Sequence, residues 1–106
     1  MIIHEVGSVQ LWIGECAEEN DVLVRSAKPG WWWFHASDGP SAHAVLRTSA
    51  MDYEQCRVCA DLLRAHMNKK SMRVDMVCCR HIRLTEVPGC VRLLRGPRST
   101  FIVAQK

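Results

Sequence analysis

Two histidines eight positions apart, His35 and His43, are the side chains of this 106-residue chain best suited to chemistry. They lie in the stretch Trp31-Trp32-Trp33-Phe34-His35-Ala36-Ser37-Asp38-Gly39-Pro40-Ser41-Ala42-His43-Ala44-Val45-Leu46-Arg47. An imidazole changes charge near neutral pH, so it can meet a phosphate, a base edge or a metal ion. Ser41 adds a hydroxyl and Arg47 a guanidinium. Three readings of the pair stand open. The imidazoles can contact the phosphates or bases of a nucleic acid. They can ligate a metal, although Asp38 is the one nearby carboxylate and a third and fourth ligand are not evident. Or each can bond a neighbouring backbone group and serve the fold alone. Ser41 beside His43 and Asp38 has the composition of a hydrolase triad but lacks a G-x-S-x-G context. A small hydrolase or metal-dependent enzyme using His35, Ser41 and His43 is therefore the enzymatic alternative.

The histidines depend on the strands around them. Residues 31–36 and 43–48 read as two strands, and residues 37–42 carry Asp38, Gly39 and Pro40, which set turn dihedrals. Successive strand residues point to opposite sides of a sheet. Trp32 and Phe34, with Ala44 and Leu46, form apolar sets expected to face a helix. Trp31, Trp33, His35, His43 and Arg47 are then expected on the second face. Aromatic planes beside imidazole and guanidinium suit a single-stranded or splayed nucleic acid, whose bases stack on rings while cations follow phosphate. A Trp-rich face can also dock on a protein, and a strand buried on both sides would make all four aromatics core.

Residues 9–13 are β-prone and end at Gly14, residues 15–20 are polar and acidic, and Pro29-Gly30 stops whatever precedes it. Residues 21–27 suit a strand through Val22, Leu23 and Val24, or a short helix capped by Asn20 or Asp21. Cys56, Cys59, Ala60, Leu63 and Met67 recur at three- and four-residue steps, which predicts the principal helix over about 50–68. Met72, Val74, Met76 and Cys78 alternate with their neighbours as a half-buried strand. Pro88-Gly89 marks a turn, and residues 90–94 and 100–103 predict a final hairpin around Arg95-Gly96-Pro97-Arg98. The expected fold is α+β, one domain over residues 1–106, with a mainly antiparallel sheet.

The apolar fraction is 48% and the charged fraction 24%, ordinary for a globular protein. No apolar run reaches the roughly 20 residues of a membrane span, and the first 14 residues lack the features of a signal peptide, so a cytoplasmic protein is expected. The six cysteines (Cys16, Cys56, Cys59, Cys78, Cys79, Cys90) then read as reduced thiols. The Cys56-x-x-Cys59 spacing falls on the apolar stripe of the helix and has no second such pair, which favours packing over zinc. No cofactor is expected. Net charge is +3, but residues 1–53 carry 3 Lys/Arg against 7 Asp/Glu, whereas residues 54–106 carry 11 against 4. A basic half invites a polyanionic partner, and Lys69, Lys70, Arg73 and Arg80 are expected to track phosphates.

The stretch Trp33-Phe34-His35 followed by Pro40-Ser41-Ala42-His43-Ala44-Val45-Leu46-Arg47 resembles the W-F-H…P-x-S-H-V-x-x-R pattern of the NFACT-R domain. That domain belongs to ribosome-associated quality-control factors and to short relatives. Ile13-Gly14, Asn20-Asp21-x-Leu23, Val74-Asp75 and Pro88-Gly89 extend the resemblance over about residues 9–103. Trp31-Trp32 stands where the family commonly has an acidic residue, and Pro40-Ser41-Ala42-His43 replaces Pro-Gly-Ser-His. The resemblance implies a short helix at residues 21–27 and a non-enzymatic module binding RNA, either transfer or ribosomal RNA, with the ribosome or DNA as further partners. Trp31, Trp33, His35, Ser41, His43, Arg47, Lys69, Lys70, Arg73 and Arg80 are the expected nucleic-acid-binding residues.

Overall fold

A computed structural model describes residues 1–50 and 52–106. The chain runs β1 (Ile2–Val6), β2 (Val9–Ile13), α1 (Ala17–Ser26), β3 (Trp32–Ala36), β4 (Ala44–Leu46), α2 (Tyr53–His66), β5 (Ser71–Cys78), β6 (Ile82–Leu84), β7 (Val91–Leu93) and β8 (Arg98–Ala104). Six strands form one antiparallel sheet in the order β1-β2-β4-β3-β5-β8, and β6 with β7 makes a separate two-stranded ribbon. The α+β fold with an antiparallel sheet is as expected.

One face of the sheet packs on α2. Phe34, Ala44 and Leu46 meet Cys56, Cys59 and Leu63 there, all fully buried, while Trp32 is partly buried against the same core. The helix begins where Asp52 caps it, its carboxylate accepting from the backbone N–H of Glu54 at 2.9 Å and Gln55 at 3.3 Å. The expected start near residue 50 is thus too early, and Met51 lies outside the described residues. The helix stops before Asn68, whose positive φ of 56° turns the chain toward β5.

The second face is not the open surface that alternation suggested. Trp33, Val45 and Val77 form a second core beneath Leu23 of α1 and Ile82 of β6. Trp33 is only 3% exposed, so it is core and not a platform for bases. Helix α1 starts at Ala17, inside the polar, acidic stretch of residues 15–20 and four residues before the short helix expected at 21–27, with Glu18 and Glu19 in its first turn and Arg25 in its last. Those charges complement the helix dipole. Neither Asn20 nor Asp21 caps it. Both lie inside the helix, and Asn20 spends its side chain on a tertiary contact.

Strand pairing adds one strand that was not expected and overturns one expectation. Residues 2–6 form an additional outer strand, turned into β2 at Gly7, whose φ is +65°. Residues 90–94 and 98–104 do not make a hairpin with each other. Strand β7 pairs with β6, while β8 pairs with β5 from Ser71↔Ala104 to Val77↔Arg98. The long ladder wins because it buries Phe101 and Val103 in the α2-facing core, which a two-stranded hairpin alone cannot offer.

Candidate nucleic-acid interface

His35 and His43 come together as strand pairing requires, with ring centroids 4.9 Å apart and planes at 84°. His35 also stacks on Trp33 at 5.2 Å and 10° between planes. The indole N–H of Trp33 donates to Nδ1 of His43 at 3.2 Å. His43 therefore carries its proton on Nε2. It is 3% exposed, and burial first, then the nearby His35, pulls its pKa down to about 4. His35 is half-buried, and its Nδ1–H donates to the Ala36 carbonyl at 2.8 Å, which leaves Nε2 as the acceptor of the neutral ring. A cleft of about 430 Å³ opens on His35, walled by the 37–42 loop, Asp75, Arg98 and the β7 edge at Val91 and Leu93.

Pieces far apart in sequence fix this end of the sheet. The backbone of His43 is gripped twice: its carbonyl accepts from the Gly14 N–H at 3.0 Å, and its N–H donates to Asn20 Oδ1 at 3.2 Å. A Cβ at position 14 would lie 2.1 Å from Asn20 Oδ1, so only glycine admits that side chain. The Gly89 N–H donates to Asp21 Oδ1 at 3.2 Å, which ties the β6–β7 ribbon to α1. Asp75 lies opposite His35 in the β3–β5 ladder. Its carboxylate accepts from Ser37 Oγ at 2.7 Å, Thr100 Oγ1 at 2.8 Å and Arg98 Nη1 at 3.2 Å. Burial alone would raise its pKa, but these three hydrogen bonds outweigh burial and hold it below the usual value. Asp75 was absent from the expected site, although a carboxylate between Val74 and Met76 in an apolar strand is a visible signal.

Ser41 braces the loop. Its hydroxyl accepts from the Ala36 N–H at 2.9 Å and donates to the Ala42 carbonyl at 2.8 Å. With its proton on a carbonyl, Nδ1 of His43 occupied by an indole, and Asp38 exposed at the loop tip, the three do not form a nucleophile–base–acid relay. Among the described residues no group of three or more His, Cys, Asp or Glu is placed to hold a metal ion. Cys56 and Cys59 are fully buried, and burial pushes the Cys59 thiol up to about 12, so they pack as protonated side chains.

Arg47 is not part of the histidine cluster. It follows the far end of β4, about 13 Å of extended chain from His43. Its guanidinium carbon lies 4.1 Å from the ring centroid of Trp12 and 4.4 Å from that of Trp31. Trp31 is thereby half-buried beside Arg47 and away from His35, and Lys28 Nζ stands 5.8 Å from the same indole. Trp12 had not been singled out. Its place on the strand paired with β4 makes it the partner across from Val45 and so the neighbour of Arg47.

The four basic residues expected to form one surface divide in two. Lys69 and Arg73 line a cleft of about 500 Å³ under the 37–42 loop, beside Ser41, with exposed Lys70 next to them. Arg80 lies beyond the opposite end of β5, roughly 25 Å of strand away. It joins another group, missed in sequence, on the ribbon. Arg83 and Arg92 are direct cross-strand partners, both exposed on the side away from buried Ile82. Like charges placed so destabilise a ribbon, and no ion pair among the described residues engages either.

No protein-family model and no curated protein matches the chain. Among solved structures, the chain is similar to the C-terminal part of the fibronectin/fibrinogen-binding protein from Streptococcus suis. The TM-score is 0.80 and the identity 27%, over 94% of this chain and 42% of that chain.

Proposed function

We propose that this protein is a non-enzymatic nucleic-acid-binding module, with RNA as its ligand. The observation that carries the proposal is the Arg83/Arg92 pair, two exposed cations at directly opposed positions of the ribbon, with no carboxylate partner among the described residues and with Arg83 Nη1 donating to the carbonyls of Arg80 and Ile82, each at 2.9 Å. Retaining like charges face to face costs stability, a cost that an anionic ligand offsets. Arg80 and Arg95 extend the same basic segment, in which Glu86 is the one acid between residues 80 and 98. On the other side of the ribbon, where Val91 and Leu93 wall the cleft, the Nε2 of His35 suits the edge of an unstacked base or a phosphate. The NFACT-R resemblance favours transfer or ribosomal RNA in a ribosome-associated setting, with DNA as a further candidate.

The test is a fluorescence-anisotropy titration of the 106-residue chain against transfer RNA, single-stranded RNA and duplex DNA at two salt concentrations. Affinity for RNA should fall steeply with salt, and Arg83→Gln with Arg92→Gln should lower the salt slope by about two. Affinity that stays flat with salt overturns the proposal.

A second reading is docking on a protein, supported by the similarity to a streptococcal protein described as binding fibronectin and fibrinogen. Saturable binding of either protein, with no RNA binding at low salt, would decide for it.

A further inference from the structure

We propose that Arg47 is a phosphodiester-binding fork, held against Trp12 and Trp31 and separate from the His35 cleft. The inference rests on the nucleic-acid reading above and assigns a second contact on the same molecule.

The guanidinium carbon of Arg47 lies 4.1 and 4.4 Å from the centroids of two indoles, so two aromatic rings pack on one cation. Its N–H groups make no hydrogen bond to another described residue and remain for a ligand. The guanidinium nitrogens are not among the side-chain atoms sealed from solvent without a partner, and no carboxylate among the described residues pairs with them. The nearest acid on the adjoining strands, Glu5, accepts instead from the Gln10 amide at 2.9 Å, and Gln10 Oε1 accepts from the Trp12 indole N–H at 3.0 Å. That chain of bonds fixes the Trp12 ring and leaves the arginine uncompensated. The Arg47 backbone N–H is itself tied to the Gln10 carbonyl at 2.9 Å. The position of the guanidinium is thus restrained before any ligand arrives, and a fork that is already ordered loses less entropy on binding.

Its donors match two oxygens of one phosphate. Lys28, 5.8 Å from the Trp31 ring, adds a second positive charge, which favours an anionic phosphate over the neutral edge of a base. The half-buried indoles on either side offer surface for the flanking bases.

The experiment titrates the full chain and its Arg47→Lys and Arg47→Gln variants with single-stranded RNA at several salt concentrations, with thermal melts as a control on folding. Lysine keeps the charge and the contact with the rings but loses the fork. Arg47→Lys should therefore weaken binding about tenfold at an unchanged salt slope, while Arg47→Gln weakens it further and lowers the slope by about one. If Arg47→Gln does not fold, the lysine variant decides. Wild-type RNA binding that both folded variants match overturns the fork and leaves the nucleic-acid reading standing. Absence of wild-type RNA binding overturns both. Displacement of RNA by polyglutamate as effective as that by unlabelled RNA would assign the fork to an acidic protein and also overturn the proposal.

Discussion

The indole N–H of Trp33 ends on Nδ1 of His43 at 3.2 Å, and both residues are 3% exposed. This bond joins the second core to the signature loop and gives the two histidines different work. His43 is a neutral, structural acceptor sealed under α1. His35, stacked on the outer side of the same indole, keeps a free nitrogen at the cleft.

Acid should expose that difference. The pKa of His43 in the fold is about 4, against an ordinary 6.5, so the unfolded chain takes up a proton that the fold resists. The stability this confers is whole above about pH 6.5 and is lost as pH falls toward 4, by roughly 3 kcal/mol at the bottom of the window. Urea unfolding at pH 7 and at pH 4.5 measures it. His43→Gln, which cannot titrate, should flatten the decline over that range.

Alanine substitutions should separate the two rings further. His43→Ala leaves the Trp33 N–H without an acceptor and opens a buried cavity, so it should cost about 2–4 kcal/mol. His35→Ala should cost less than about 1 kcal/mol yet weaken RNA binding. Equal losses of stability in the two variants would contradict the division of roles.

Thiol reactivity offers an independent check on the cysteines. Cys16 and Cys90 are exposed, whereas Cys56, Cys59 and Cys78 are buried. Burial raises the Cys59 and Cys79 thiols to about 12, far from the reactive thiolate. In the native protein a chromogenic disulfide reagent should titrate two thiols quickly and the other four only after denaturant is added.

The Arg83/Arg92 pair sets stability against binding. Arg92→Glu replaces repulsion across the ribbon by attraction, and should raise stability by up to about 1 kcal/mol. The same change should reduce RNA affinity at low salt by more than Arg92→Gln does. A variant that loses stability instead would show that the two arginines are held by something other than tolerance of repulsion.

Much of the local order was legible in sequence. The three- and four-residue recurrence from Cys56 to Met67 placed α2, and alternation in β3 and β4 correctly put Phe34, Ala44 and Leu46 on the helix side. Short segments were less legible. Residues 17–20 are helical because acidic side chains suit a helix start and Leu23 covers Trp33; the acids are visible in the sequence, but the burial of Leu23 on Trp33 is not. The Pro97-centred turn looked like a hairpin because the competing partner, β5, lies more than twenty positions upstream.

By itself the sequence determined the periodicities, the turns and the proximity of His35 to His43, since a short loop between two strands leaves those residues nowhere else to go. Tertiary structure alone decided which face is covered, because α1 and the β6–β7 ribbon close over Trp33 only once the whole sheet exists. It also decided the partners of each polar group. Arg47 meets Trp12 rather than the histidines because β2, not the loop, borders β4 on that side. Asp75 meets Arg98 and Thr100 because β8 crosses back to one edge of β5, and Ser37 because β3 borders the other edge. Such pairings depend on strand order, which is set by the burial of Phe101 and Val103 across the whole sheet and not by the residues beside each strand.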